Sequence, residues 1–299
     1  MKSHDGSERK WKEFIVYDAI IIGGGPAGLQ AALTLGRMHR RALLLDSGAY
    51  RNGTVPHAHN LLTNDGRDPA ELRRLARTEI AAYDTVEIRD VAASTVSRSD
   101  DALEVTVDGE RLRTTAVILA TGLADDLPPV PGLAAHWGDR VANCPFCHGH
   151  EFAGQRVAVL NAGPHAVMLS AMLEPVASEV VVIDPARVRE VGTSPAGLRL
   201  HLDDGRAEDV AGAFVAPVSR QRAAFADHLG LERQESGAVR VDPFGRTSVD
   251  GVYAVGDMAQ PDHFAGPMAS LANAIAAGQL AAVAVVQADV QVRTAASGG

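Results

Sequence analysis

The sequence predicts an α/β protein built from two Rossmann-like, doubly wound domains, the second inserted into the first. Three observations carry that expectation. Short apolar runs alternate with helix-length segments, the pattern of parallel strands joined by crossover helices. Two β-α-β segments each pivot on a Gly-containing turn, Gly23-Gly24-Gly25-Pro26-Ala27-Gly28 and Asn161-Ala162-Gly163-Pro164. After the second of these the chain returns to one more strand and a long Ala-rich helix. The 299 residues suit two domains at about 150 residues each. The expected division is 14–123 with 240–299 for the first and 124–239 for the second.

The elements follow in order. Residues 17–22 are a β-branched run that stops at Gly23, a helix is expected over 27–38, and strand 42–45 ends at Asp46. The polar stretch 50–68, rich in Asn, His and Gly, reads as a loop leading to a helix over 69–81. Strands are expected at 86–91, 103–107 and 117–120, and the proline-rich segment 125–132 marks a boundary. The inserted unit opens with strand 156–160, helix 166–173 and strand 180–183; strand 252–255 and a helix over 268–288 close the chain. Residues 1–13 read as a charged, solvated tail, and the last several residues as disordered.

Composition removes several function classes. A net charge of −9 leaves no basic stripe for a phosphate backbone, so no nucleic-acid partner is expected. No apolar run approaches the roughly 20 residues that span a bilayer, and residues 1–13 have no apolar core, so neither a membrane anchor nor a signal peptide is expected. Two cysteines cannot form a disulfide framework in a chain of this size; they read as a thiol pair of the cytoplasm.

Gly23 to Gly28 fits G-x-G-x-x-G, a pattern that gains meaning from its context of strand before, helix after and Asp46 at the end of the next strand. Gly23 permits the tight turn, Gly25 lets backbone approach a pyrophosphate, and Gly28 lets helix and strand pack closely. The helix N-terminus then faces phosphate, and Asp46 is placed to accept hydrogen bonds from a ribose. Ala120-Thr121-Gly122 ends a further strand, and Gly256-Asp257 ends the last one. Cys144-Pro145-Phe146-Cys147-His148-Gly149-His150 brings two sulfurs within reach of one disulfide. Zinc ligation by Cys144, Cys147, His148 and His150 is the alternative, weakened because adjacent Cys147 and His148 cannot readily converge on one ion.

Together these motifs resemble the low-molecular-weight thioredoxin reductase family of flavoproteins, over about residues 17–282. The resemblance implies FAD as cofactor and a homodimer. It implies that Thr121 and Gly122 support the FAD and that Asp257 meets its ribitol chain. With Gly23, Gly25, Pro26, Ala27, Gly28 and Asp46, the implied cofactor contacts include Ser47, Arg51, Asn60, Val91, Ala120 and Gly256. It further implies that Cys147 exchanges electrons with the flavin while Cys144 meets the substrate sulfur. Reductases of the family carry Asp after the second cysteine; His148 stands there instead and can move protons near neutral pH.

Two further departures concern the nicotinamide. Asn161 replaces the first Gly of the second turn, and Asp184-Pro185-Ala186 stands where the reductases carry basic residues for a 2′-phosphate. Arg187 and Arg189 are the nearest cations in sequence. Ala269-Ser270 replaces an Arg-Gln pair at the start of the final helix, so backbone amides are expected to serve the flavin there. A C-P-F-C-H-G motif without a nicotinamide site is similar to the flavin dithiol oxidases of gliotoxin and holomycin type. That narrower resemblance implies a small-molecule dithiol as substrate, O2 as electron acceptor, hydrogen peroxide as product and a place in antibiotic biosynthesis. An NAD(P)H- or ferredoxin-dependent disulfide reductase is the alternative, and a non-catalytic flavoprotein or zinc-stapled binding module the reading of another class. The roles of His57, His59 and His150, and the identity of the dithiol, stay open.

Overall fold

A computed structural model describes residues 15–99, 102–264, 266 and 268–297. The expected N-terminal tail lies outside them. The elements that position the functional residues are β1 (Ala19–Ile22), α1 (Pro26–Arg37), β2 (Ala42–Leu45), α2 (Pro69–Ile80), β3 (Val86–Arg89) and β4 (Val117–Leu119). They continue with α3 (Pro145–His148), β5 (Arg156–Leu160), α4 (Pro164–Leu173), β6 (Glu179–Ile183), β7 (Gly212–Val215), β8 (Val252–Ala254) and α5 (Leu271–Ser297).

The chain forms two compact units. The first holds the described residues up to Tyr50, Leu72–Ala124 and those from Gln221 onward; the second holds Arg51–Glu71 and Asp125–Arg220. The insertion opens within one residue of the expected boundary, but it closes at Arg220 rather than 239, and residues 51–71 group with it. Residues 51–71 join the second unit because Arg51 pairs with Asp125 at 2.7 Å and Thr54 lies against the backbone of Gly138. Residues 225–241 stay with the first because Phe225, Ala226, Leu231, Val239 and Val241 are buried in its core.

In the first unit a five-stranded parallel sheet runs in the order β8-β4-β1-β2-β3. Its central strands are buried on both faces, which is why β1 reads Ala-Ile-Ile-Ile and β2 reads Ala-Leu-Leu-Leu without polar alternation. The two-residue period divides them. Ala19 and Ile21 pack with α1 and α5, whereas Ile20 and Ile22 face a second cluster built on Val96, Leu103, Val105 and Leu112. That cluster belongs to a sheet of Ile15–Tyr17, Glu110–Thr114, Ala102–Val107 and Ala93–Ser99. The expected single strand 17–22 is therefore broken at Asp18, whose amide donates to the Arg41 carbonyl and whose carboxylate accepts from the Arg41 amide.

The second unit repeats the plan with a parallel sheet of Val141–Ala142, β7, β5 and β6. Val157 and Val159 of β5 face α4, and Ala158 and Leu160 face an antiparallel sheet of Val188–Ser194, Gly197–Leu202 and Ala207–Val210. The sequence reading missed these three strands, although Leu198, Leu200 and Leu202 alternate as a half-buried strand should.

The C-terminal helix differs from expectation in both bounds. It starts after Ser270, whose hydroxyl oxygen accepts from the Asn273 amide, and it runs to Ser297 where disorder was expected. Residues 298–299 lie outside the described ones. By length and composition α5 is apolar enough to cross a membrane, which the sequence reading had not anticipated. Its apolar face is used within the unit: Ala274, Ala281, Ala282, Ala284 and Val285 are buried with α1. Gly278 makes the contact possible, because a Cβ there would overlap the Ala27 carbonyl. Gly278→Val is expected to destabilise the fold by about 1–3 kcal/mol through overpacking, measured as a lowered urea midpoint; an unchanged midpoint would show that the helices separate freely.

Candidate active site

The first unit collects its predicted residues at one edge of the sheet. Gly23 follows β1, Asp46 follows β2, Ala120 follows β4, and Gly256 comes just after β8. All lie beyond the carboxyl ends of parallel strands, where open α/β sheets bind ligands. The turn after β1 is shaped by backbone proximity. Gly23 has φ +120°, a Cβ on it would overlap the Ala120 carbonyl, and a Cβ on Gly28 would overlap the Gly23 carbonyl. Above Gly25, by contrast, nothing lies within 4 Å of a Cβ position. Gly25 is the N-cap of α1 and gives it no side-chain cap, and Pro26 fills the first helical position. The uncapped helix start and the open space over Gly25 suit a phosphate group, which a helix N-terminus favours.

Asp46 is 2% exposed and firmly held. Its Oδ1 accepts from the Gly48 amide at 2.9 Å, and its Oδ2 accepts from the Tyr50 hydroxyl at 2.6 Å and the Arg77 guanidinium at 2.7 Å. A carboxylate offers about four lone-pair sites, so three donors leave about one for a ligand hydroxyl. Tyr50 and Arg77 were not anticipated from sequence. Arg77 comes from α2 and is shared with Asp90, which it holds below the usual carboxylate range. Arg73 lies 3.8 Å over the Tyr50 ring. Burial, followed by the hydrogen bond to Asp46, pushes the Tyr50 hydroxyl up to about 12.

The remaining first-unit positions surround this edge. The Ala120 amide donates to Ile22, tying the β4 turn to β1, and Thr121 reaches the Met258 sulfur at 3.3 Å. Gly122 has φ +66° with open space at its Cβ position. Gly256 lies against Ala27, and Asp257 follows it in a single 3-10 turn. Ser47 accepts from the Ala49 amide, and Val91 packs partly buried on the core. At the head of α5 the Asn273 amide donates to the Ser270 hydroxyl at 3.1 Å. The open turn, the small residues and the incompletely saturated carboxylate fit the diphosphate and ribose of a dinucleotide such as FAD.

Arg51 and Asn60 fall in the second unit. Arg51 makes a two-pronged pair with Asp125, which also accepts from the Ser219 hydroxyl at 2.6 Å. Asn60 occupies a left-handed turn at φ +60°, its amide donating to Asp65 at 2.7 Å.

The second unit carries the sulfur chemistry. Cys144 and Cys147 form a disulfide with their Cα atoms 5.3 Å apart. Cys144 starts the one-turn helix α3, and its carbonyl accepts from the amides of Cys147 and His148. Both cysteines are half-buried, and Phe146 between them is 70% exposed. His148 ends that turn. Its Nδ1 is buried without a hydrogen-bond partner, and its ring is hydrogen-bonded to the backbone of Gly138. Burial dominates and lowers its proton affinity, so the ring is neutral at pH 7 with Nδ1 open as an acceptor. Among the described residues no group of three or more His, Cys, Asp or Glu is arranged to hold a metal ion.

The second Gly-containing turn is likewise open, with nothing within 4 Å of a Cβ position on Gly163, but it differs in its side chains. Asn161 Oδ1 accepts from the Ala162 amide, while its Nδ2 is buried without a partner. At the end of β6, Asp184 Oδ1 accepts from the Ala186 amide. Arg187 is engaged by Asp204 at 2.7 Å and by Asp203 at 3.4 Å, and Arg189 is exposed.

A family model described as pyridine nucleotide-disulphide oxidoreductase matches residues 17–189 and 184–287. The thioredoxin reductase tcpT of Claviceps purpurea is 34% identical over 279 residues, covering 81% of this chain and 86% of the relative. The thioredoxin reductase sirT of Leptosphaeria maculans is 31% identical, covering 82% and 88%. Among solved structures, that of HlmI superposes with a TM-score of 0.84 at 31% identity, covering 94% of this chain and 95% of that one.

The Asp46 cluster has a measurable signature. Because the Tyr50 hydroxyl is raised from 10 to about 12, its stabilisation is complete below pH 10 and is lost as pH rises towards 12. Absorbance titration at alkaline pH is expected to show a late-ionising phase to which Tyr17 and Tyr50 both contribute, and its amplitude is expected to shrink in Tyr50→Phe. An unchanged titration curve in that variant would remove the link between Tyr50 and Asp46.

Proposed function

Because this chain belongs to the pyridine nucleotide-disulphide oxidoreductase family, as a thioredoxin reductase-like disulfide oxidoreductase, we propose that it is an FAD-dependent dithiol oxidase. Its reaction converts a small-molecule dithiol and O2 into an intramolecular disulfide and hydrogen peroxide. The observation that carries this reading is the second Gly-containing turn. Asp184 ends the strand that follows this turn, where a dinucleotide's adenosine ribose and any 2′-phosphate would lie, and Arg187, the nearest cation in sequence, is paired with Asp203 and Asp204. A carboxylate there repels a 2′-phosphate, and an arginine held by two aspartates is poorly available to grip one. The likeness to HlmI and to sirT and tcpT supports a disulfide-handling role.

In the proposed reaction a substrate thiolate attacks Cys144 Sγ and breaks the Cys144–Cys147 bond, leaving Cys147 as the thiolate. The second substrate thiolate attacks the substrate sulfur of this mixed disulfide, forming the product and releasing the Cys144 thiolate. Two electrons then reside on the cysteine pair, and two protons have left the substrate. The neutral His148, with Nδ1 buried and open, is the group suited to take a proton at this point. Bound FAD would supply the two-electron chemistry that restores the disulfide and reduces O2. The residues that would hold it are the Gly23–Gly28 turn, Asp46, Ala120 to Gly122, Gly256 and Asp257.

Oxygen consumption with a panel of small dithiols is expected for the parent protein and is expected to fall to background in Cys144→Ser. His148→Asn is expected to lose about 10²- to 10⁴-fold. Since burial holds the His148 ring below 6.5, the parent rate is expected to fall on its acidic side only below about pH 6.5. Rapid anaerobic bleaching of the flavin by NADPH, or efficient reduction by ferredoxin, would replace the oxidase reading with a reductase.

A further inference from the structure

The first unit resumes at Gln221, and Gln221 and Arg222 reach two of the turns at the ligand edge of its sheet. The Arg222 amide donates to the Gly122 carbonyl at 3.3 Å, and its guanidinium Nη2 donates to the Leu123 carbonyl at 2.7 Å. The backbone of this segment is thereby attached to the turn after β4. The side chain of Gln221 crosses to the turn after β8. Its Nε2 donates to the Met258 carbonyl at 3.0 Å and to the Gly237 carbonyl at 3.1 Å. Only the amide nitrogen can face two carbonyl oxygens, so the side chain has a single orientation. Its Oε1 is left buried and without a hydrogen-bond partner. An interior amide that is half-paired is a poor device for stability alone. What it does provide is a fixed place for the Met258 backbone.

Met258 is fully buried and is held at its other end as well, its sulfur accepting from the Thr121 hydroxyl at 3.3 Å. Gly256, two residues earlier, has φ +73° and lies against Ala27 of α1. Asp257 therefore sits in a single 3-10 turn whose flanking residues are both pinned, one by packing on α1 and the other by Gln221 and Thr121.

We propose that Gln221 is a positioning residue for the flavin dinucleotide: anchored to the β4 turn by the neighbouring Arg222, it pins the Met258 carbonyl and so fixes Asp257 for its contact with a ribitol hydroxyl. The assignment rests on the reading of this edge as an FAD site. A hydrogen bond weakens steeply once donor and acceptor are misaligned, so a turn free to shift loses the contact even with its carboxylate intact. Gln221 acts through Asp257, and its effect on the cofactor vanishes when that carboxylate is absent.

The test follows release of FAD from the holoprotein on serial dilution, read by the rise in flavin fluorescence. Gln221→Met keeps the side-chain length and loses both donors; its Kd for FAD is expected to rise on the order of 10-fold. Gln221→Glu, which presents acceptors to both carbonyls, is expected to lose at least as much. In an Asp257→Ala background Gln221→Met is expected to cost less than about 2-fold, because nothing is left to position. A merely structural role gives a similar rise in both backgrounds. Far-UV circular dichroism and urea midpoints verify that each variant is folded. An unchanged Kd in Gln221→Met, or a fully additive loss in the Asp257→Ala background, overturns the proposal and leaves the FAD reading intact. A parent protein that carries no flavin and binds none when FAD is added overturns both.

Discussion

The approach of α1 to β1, so close that Gly28 can carry no side chain beside the Gly23 carbonyl, governs what the rest of the first unit can do. It brings the first turn of α1 onto the edge where β2, β4 and β8 also end. The Ala120 carbonyl closes the other side of Gly23, so three segments distant in sequence are fixed by backbone proximity rather than by flexible side chains. Gly278 extends the same principle to α5, letting a long helix lie against Ala27. The result is a rigid cradle whose open side is the place over Gly25.

The two units apply one architecture to different ends. Both have a parallel sheet, a Gly-containing turn and a helix that follows it. In the first, the turn is left open and the acidic residue at the neighbouring strand end retains acceptor capacity. In the second, the turn at Gly163 is open as well, but Asn161 stands in place of its first glycine and the cation after the next strand, Arg187, is paired with Asp203 and Asp204. The second unit contributes the disulfide, with the half-buried His148 directly after it.

Local features were readable from the chain, since a strand, a Gly-rich turn and a helix announce themselves within a dozen residues. The strand ends at Asp46, Ala120 and Gly256 could be placed for the same reason. What escaped was set by distant contacts. Arg77 of α2 meets Asp46 across 31 residues, and His59 meets Glu151 across a still longer stretch, whereas Tyr50 lies only four residues from Asp46 but in a loop with no periodic pattern to place its hydroxyl. The break at Asp18 depends on Arg41, and nothing in the run Tyr17 to Ile22 signals it. Leu198, Leu200 and Leu202 did carry a periodic signal, but over only six residues, too short to stand out in a polar segment.

The disulfide spans a sequence separation of only three residues. Cross-linking so short a ring removes little freedom from the unfolded chain, about 2 kcal/mol by loop-closure entropy against nearly 5 for a hundred-residue loop. Opening it therefore costs the surrounding architecture little. A bond that contributes so little to holding the protein together can be made and broken at every catalytic cycle without threatening the scaffold that carries it.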